Sequence, residues 1–271
     1  MDDLLATRLG GWIRALAESQ LIDRWFFVRY GDPKWHLRLR LRARSRSLAG
    51  RVISRLGRFA ESLTDPSSEL RIRTLELGTY ERELERYGPE AMTATERLFH
   101  ADSRCVLAIL EGLSRRDDTE ERLRIAVAGV SALWSALGVE ETGRLDLART
   151  LRGSFEKEVA PTASQQRALA DRFRGERPRL SKLLDSTDSA AFMTHFADRT
   201  SELGPVRRRL ARLEERGRVS ANREDRAGAY AHMFVNRLLR FEHRRAELII
   251  YYDLERLYES RSAQVRQKGL E

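Results

Sequence analysis

Residues 36–42 read His-Leu-Arg-Leu-Arg-Leu-Arg, a strict alternation of polar and apolar side chains. Only an extended strand, with its period of two, sorts this run cleanly: His36, Arg38, Arg40 and Arg42 fall on one face, Leu37, Leu39 and Leu41 on the other. The leucine face needs a core. The cationic face needs something negative, because guanidiniums at this spacing repel one another and an unpaired buried one is heavily penalised. An anionic ligand is the obvious partner for such a row.

The surrounding pattern extends the strand into a hairpin. An amphipathic helix is predicted over residues 3–20, a strand over about 24–30, a Gly-Asp-Pro turn, and the second strand over 35–44. Leu48, Val52, Ile53, Leu56 and Phe59 return to helical spacing over 46–63, and the run Thr64-Asp65-Pro66-Ser67-Ser68 ends that helix. Residues 70–77 alternate again and predict a third strand. From Pro89, placed at a first helical position with Glu90 in the first turn, the chain reads as nearly continuous helix. The predicted helices span 89–115, 118–137, 143–157, 163–175, 188–215 and 223–260, with breaks near Gly138, Pro161, Pro178 and Gly217. The expected class is α+β: a small antiparallel sheet in the N-terminal third packed with many helices, as one domain over 1–271.

Composition narrows the function. With 271 residues, 41% hydrophobic, the chain can bury a substantial core. Cys105 is the single cysteine, which excludes an intramolecular disulfide or a cysteine metal cluster and fits a reducing cytoplasm; it is expected inside a helix core. No apolar run is long enough to cross a membrane, and the N-terminus lacks the layout of a signal peptide. The net charge of +9 raises nucleic acid as a partner, yet most arginines are interleaved with glutamates, as a solvated, ion-paired surface would be. Phosphate loops, nucleotide-binding glycine fingerprints, paired-histidine zinc motifs and serine-nucleophile elbows are missing. Polar residues in unusual places remain: the arginine strand, the stretch from Tyr80 to Tyr87, and a C-terminal helix where His232 and Asn236 lie four apart on one face. His100, His195 and His243 have no supporting context.

Three segments together resemble one family, the C-terminal elimination domain of class I lantibiotic dehydratases and its stand-alone relatives in thiopeptide biosynthesis, pyridine synthases included. They are LIDRWFFVRYGDP with HLRLRLR at 21–42, YERELERYGPEAMTATERLFHADS at 80–103, and HMFVNRLL with IIYYDLERLY at 232–258. In full-length lantibiotic dehydratases a large N-terminal region transfers glutamate from glutamyl-tRNA to Ser or Thr of a precursor peptide, and the C-terminal domain eliminates it; this chain is too short to hold the first activity. The resemblance implies a leader-bearing precursor peptide as substrate, a separate glutamylation protein as partner, a possible homodimer, and no metal or organic cofactor. It places the catalytic set on Arg38, Arg40, Arg86 and His232, with His36, Arg82, Tyr230 and Asn236 around the substrate. Two positions depart from the family pattern: the turn reads RYGPEA without a second glycine, and Phe234 stands where a second histidine is common.

The implied chemistry agrees with the strand. A glutamyl ester carries a free carboxylate, the anion that a guanidinium row binds by charge-assisted, often bidentate hydrogen bonds. Elimination also needs a base for the Cα proton, a role suited to His232. Elimination is therefore the leading reading. Formal [4+2] cycloaddition of two dehydroalanines with loss of the leader, in a pocket lined by Tyr230, Phe234 and Tyr251, is the second. A noncatalytic peptide or RNA binder using the basic strand is the third, and predicts strongly salt-dependent association without turnover.

Overall fold

In the computed structural model, residues 1–64, 72–113, 118–185, 190–219, 221–240 and 242–268 are described. The alternating run pairs as expected: β1 (Ile22–Tyr30) lies antiparallel to β2 (His36–Ala43), with Val28 opposite Arg38 and Phe26 opposite Arg40. A lone hairpin is marginal in water. Here side chains complete its open edge. The backbone groups of Trp25, Phe27 and Arg29 point away from β2, and each meets a polar side chain. His100 Nδ1 stands 3.2 Å from Trp25 N and 2.9 Å from Trp25 O. Phe27 N donates to Ser103 Oγ (3.2 Å), and Phe27 O accepts from Arg237 Nε (2.8 Å). Asn236 closes the row, accepting from Arg29 N (3.0 Å) and donating to Arg29 O (2.9 Å). Backbone polar groups that leave water need partners, and an open edge invites wrong pairings; the helix side chains answer both demands.

Asn236→Ala leaves two backbone groups unmatched and is expected to destabilise the fold by about 1–3 kcal/mol for each group that stays dry. Urea denaturation reads this directly, and a midpoint equal to that of the unsubstituted protein would contradict the clamp.

The first helical stretch, Leu4–Leu9, is wound as a π-helix and runs on into α1 (Gly10–Glu18). α2 (Arg46–Glu61) and the single turn α3 (Leu84–Tyr87) follow, then α4 (Met92–Gly112), α5 (Thr119–Ala136), α6 (Glu141–Val159), α7 (Ala163–Leu184), α8 (Ala191–Glu215), α9 (Arg223–Leu238) and α10 (His243–Lys268). α4 and α5 are buried around most of their circumference and form the centre, against which β1, α8, α9 and α10 pack. Buried residues of β1 and these helices share one contiguous apolar cluster, including Cys105 in α4.

Four expectations fail, each for a physical reason. No third strand forms over 72–77; Leu75 and Leu77 are 47% and 67% exposed, so the alternation has no apolar surface to bury, while Leu70 and Arg71 lie outside the described residues. Pro89 sits in a turn and α4 begins at Met92, so Glu90 lies before the helix's first turn and meets Arg218 (3.2 Å). Pro178 interrupts nothing, because α7 runs through it on its exposed side, where the carbonyl one turn back need not find a protein donor. The expected helix 223–260 is two helices, separated where Leu239 is extended and Glu242 takes a positive φ of 54°. His243 Nε2 lies 3.2 Å from the Leu239 carbonyl left open by that break.

The arginines are not all on the surface. Arg14–Glu111 and Arg104–Glu202 are exposed pairs of the expected kind. Inside, however, Asp102 binds Arg199 (2.7 Å) and Arg237 (2.8 Å), all fully buried, and so ties α4 to α8 and α9. Asp2 binds Arg29 (2.7 Å), Arg122 (2.6 Å) and Arg240 (2.7 Å), joining the N-terminus to β1, α5 and the end of α9. Burial by itself would raise the Asp2 carboxyl; the three guanidiniums override it and hold the group at about 2.

Candidate active site

α9 begins at Asn222, whose side chain accepts from Asp225 N (2.7 Å), and Glu224 and Asp225 in its first turn suit the helix dipole. One side of α9 enters the core through Ala227, Tyr230, Ala231, Phe234 and Leu238. The other, through Asp225, Gly228, Ala229 and His232, borders a cleft of about 410 Å³. α6 supplies a mostly apolar wall (Leu147, Leu151, Phe155) with Thr150, Ser154 and Glu158. Three residues on one face of α10, Arg244, Glu247 and Tyr251, close the far side, and Arg86 reaches in from α3.

Among the described residues, His232 is the only histidine on this lining. Its ring is 29% exposed, and Nδ1 stands 3.0 Å from both Oε1 and Oε2 of Glu247, whose side chain is wholly buried. The hydroxyl of Tyr251 donates to Glu247 Oε1 (3.3 Å). A half-open imidazole backed by a buried carboxylate is an arrangement suited to moving a proton at the free nitrogen. The cleft around it is electrically mixed: Arg244 pairs with Glu158 (3.0 Å) and Arg86 with Glu83 (3.3 Å), both near the surface.

Of the residues singled out in the sequence, the cleft unites His232, Arg86 and Tyr251. Arg38, Arg40 and His36 are not on this lining; they share a face of the hairpin with Val28, Phe26 and Tyr30, their partners across the register. Arg38 lies over the Tyr30 ring (3.5 Å to the centroid) and donates to His36 Nε2 (3.0 Å); Arg40 lies over Tyr80 (5.3 Å). Neither makes an ion pair with a carboxylate among the described residues. Arg42, by contrast, is neutralised by a two-pronged pair with Asp23. Trp35, in the turn of the hairpin, packs its indole edge-on against His243 (5.8 Å), one turn before Glu247 on α10.

Three residues expected near the substrate have structural work. Arg82 grips Glu96 (2.7 and 3.1 Å), a carboxylate shared with Arg24 (3.1 Å). Tyr230 is buried, bonded to Thr95 Oγ1 (2.8 Å) and stacked on Tyr87 (5.4 Å). Asn236, though one turn from His232, turns to β1 and spends its amide on Arg29. Glu247 was not singled out from sequence. Its signal was a carboxylate on an otherwise apolar stripe, since Glu247, Ile250, Tyr251, Leu254 and Tyr258 fall on one buried face of α10.

Residues 1–258 match the family model for the C-terminal part of the lantibiotic biosynthesis dehydratase. The chain belongs to that family. Among curated members, the lantibiotic dehydratase family chain is 30% identical over 119 residues to the subtilin biosynthesis protein SpaB of Bacillus subtilis, covering 44% of this chain and 11% of that protein. It is 34% identical over 86 residues to the nisin biosynthesis protein NisB of Lactococcus lactis subsp. lactis, covering 31% and 8%. These matches thus span about a tenth of each curated relative's length. Its fold resembles that of the tRNA-dependent lantibiotic dehydratase MibB from Microbispora sp. 107891 (TM-score 0.70, 22% identity, 98% of this chain and 27% of that one). TsrL follows at 0.64, with 18% identity and coverage of 96% and 91%. The pyridine synthase TbtD, from thiomuracin biosynthesis, gives 0.62, with 18% identity and coverage of 96% and 95%. No described helix of this lantibiotic dehydratase C-terminal domain is long and apolar enough to cross a membrane.

Proposed function

We propose that this chain matures ribosomal peptides of the lanthipeptide or thiopeptide type in the cytoplasm, by eliminating glutamate from glutamylated Ser or Thr of a leader-bearing precursor. A separate glutamylation protein prepares that substrate. The observation that carries the reading is His232, anchored through Nδ1 to Glu247 and lining the cleft with a partly exposed ring. Nε2 takes the Cα proton. The C–H electrons form the Cα=Cβ bond, the Cβ–O bond breaks, and glutamate departs as its carboxylate, leaving a dehydroalanine or dehydrobutyrine. Arg38 and Arg40, half-buried and without carboxylate partners among the described residues, offer guanidinium donors for the glutamyl carboxylate, and Arg86 adds a cation at the cleft itself.

Incubation with a glutamylated precursor is expected to release glutamate and yield a thiol-reactive dehydro residue, read by mass spectrometry. Arg40→Ala is expected to lower kcat/KM about 10- to 100-fold, the loss of a charge-assisted hydrogen bond of roughly 1.5–3 kcal/mol. A wild-type protein that leaves the glutamyl peptide intact sinks the reading. The apolar α6 wall with Tyr251 favours cycloaddition as the second reading; there a peptide bearing two dehydroalanines would lose its leader and gain a pyridine.

A further inference from the structure

The chain's buried acidic side chains divide sharply by partner. Asp2, Glu96, Asp102, Glu247, Asp253 and Glu255 are all buried. Five of them sit on arginine: Asp2 and Asp102 as described, Glu96 on Arg24 and Arg82, Asp253 on Arg172 (2.8 Å), Glu255 on Arg149 (3.5 Å) and Arg152 (2.5 Å). Glu247 is the exception. In a protein with 50 lysines and arginines, its partners among the described residues are His232 and Tyr251. A buried carboxylate is far better stabilised by a guanidinium than by neutral donors, so stability alone does not account for this choice.

We propose that Glu247, itself fixed by Tyr251, is a positioning residue that holds His232 with its proton on Nδ1, so that Nε2 meets the substrate as a lone pair. An ionised carboxylate only accepts hydrogen bonds, and with Nδ1 3.0 Å from both its oxygens the ring proton belongs on Nδ1. The carboxylate is immobile in turn. Tyr251 donates to it while its ring stacks on Trp134 (6.1 Å, planes 6° apart) and Phe155 (5.5 Å, 28°). Burial, with the charge of Glu247 beside it, drives the Tyr251 phenol well above its ordinary range, so the hydroxyl stays a donor. The inference rests on the reading of His232 as the proton-transfer residue, and adds which nitrogen works and what keeps it there.

The test separates the two. Long-range ¹H–¹⁵N spectra of the full chain, with His232 assigned against H232A among the five histidines, are expected to show Nδ1 protonated and Nε2 bare. Glu247→Gln retains an acceptor and should keep that tautomer; Glu247→Leu should lose it. In turnover of the glutamylated peptide, E247L should cut kcat about 10²-fold at nearly constant KM, on the order of a misoriented general base, and E247Q should recover a large part. A wild-type His232 protonated on Nε2, or a folded E247L with undiminished kcat, overturns the positioning role. Wild-type protein that is inactive on the glutamylated peptide overturns the functional reading, and the spectra then decide the tautomer by themselves.

Discussion

His232→Ala is expected to reduce glutamate elimination by about 10²- to 10⁴-fold, the usual contribution of a positioned general base. Glutamylated peptide should accumulate while circular dichroism and thermal unfolding change little. The fold tolerates the change because the imidazole is 29% exposed and its one strong partner, Glu247, keeps the Tyr251 hydrogen bond. The defect should fall mainly on kcat, since the substrate recognition proposed for Arg38, Arg40 and Arg86 is untouched. Full dehydration of the precursor by H232A would remove this residue, and the cleft around it, from the reaction.

Asp102→Ala is the variant expected to damage stability most. It strips the shared counter-ion from Arg199 and Arg237, both wholly buried, and among the described residues leaves the two guanidiniums the Gly129 carbonyl (2.6 Å) and the Phe27 carbonyl (2.8 Å) as hydrogen-bond acceptors, beside the aromatic rings they lie over. Breaking a buried pair from one side costs about 3–5 kcal/mol, a large part of the stability of an ordinary domain. The expected result is a steep fall in the urea midpoint, with the β1 edge loosening as Arg237 shifts. A triple replacement, Asp102→Leu with Arg199→Met and Arg237→Met, should recover much of the loss, because it removes the charges together. An unchanged midpoint in D102A would show that the triad carries no net burden of this kind.

The hairpin was legible because its alternation is local. Each residue's face follows from the period of two, and the register of Val28 with Arg38 and Phe26 with Arg40 follows from the turn between the strands. Arg42, at the far end of the strand, is paired in the open with Asp23. The helical majority was legible too, apart from its punctuation. Proline proved a poor guide where it faces solvent, as at Pro178, and the break between α9 and α10 carries no glycine or proline to announce it.

The candidate site was half legible. Motif resemblance picked His232 and Arg86, which the fold brings to one cleft, and Arg38 with Arg40, which it leaves on the hairpin, off the cleft lining. Asn236 shows the limit of helical spacing. It lies one turn from His232, yet β1 captures its amide, and only the position of that strand edge decides the matter.

By itself the sequence determined the α+β class, the strand with its cationic face, and membership in the lantibiotic dehydratase C-terminal family, because periodicity and motif order are properties of neighbours along the chain. Tertiary structure alone decided that Glu247 backs His232, that Asp102 gathers two buried arginines, and that side chains of α4 and α9 finish the sheet. These pairings join faces from separate helices or strands. Which face meets which is set by how the helices pack, and no local period encodes that.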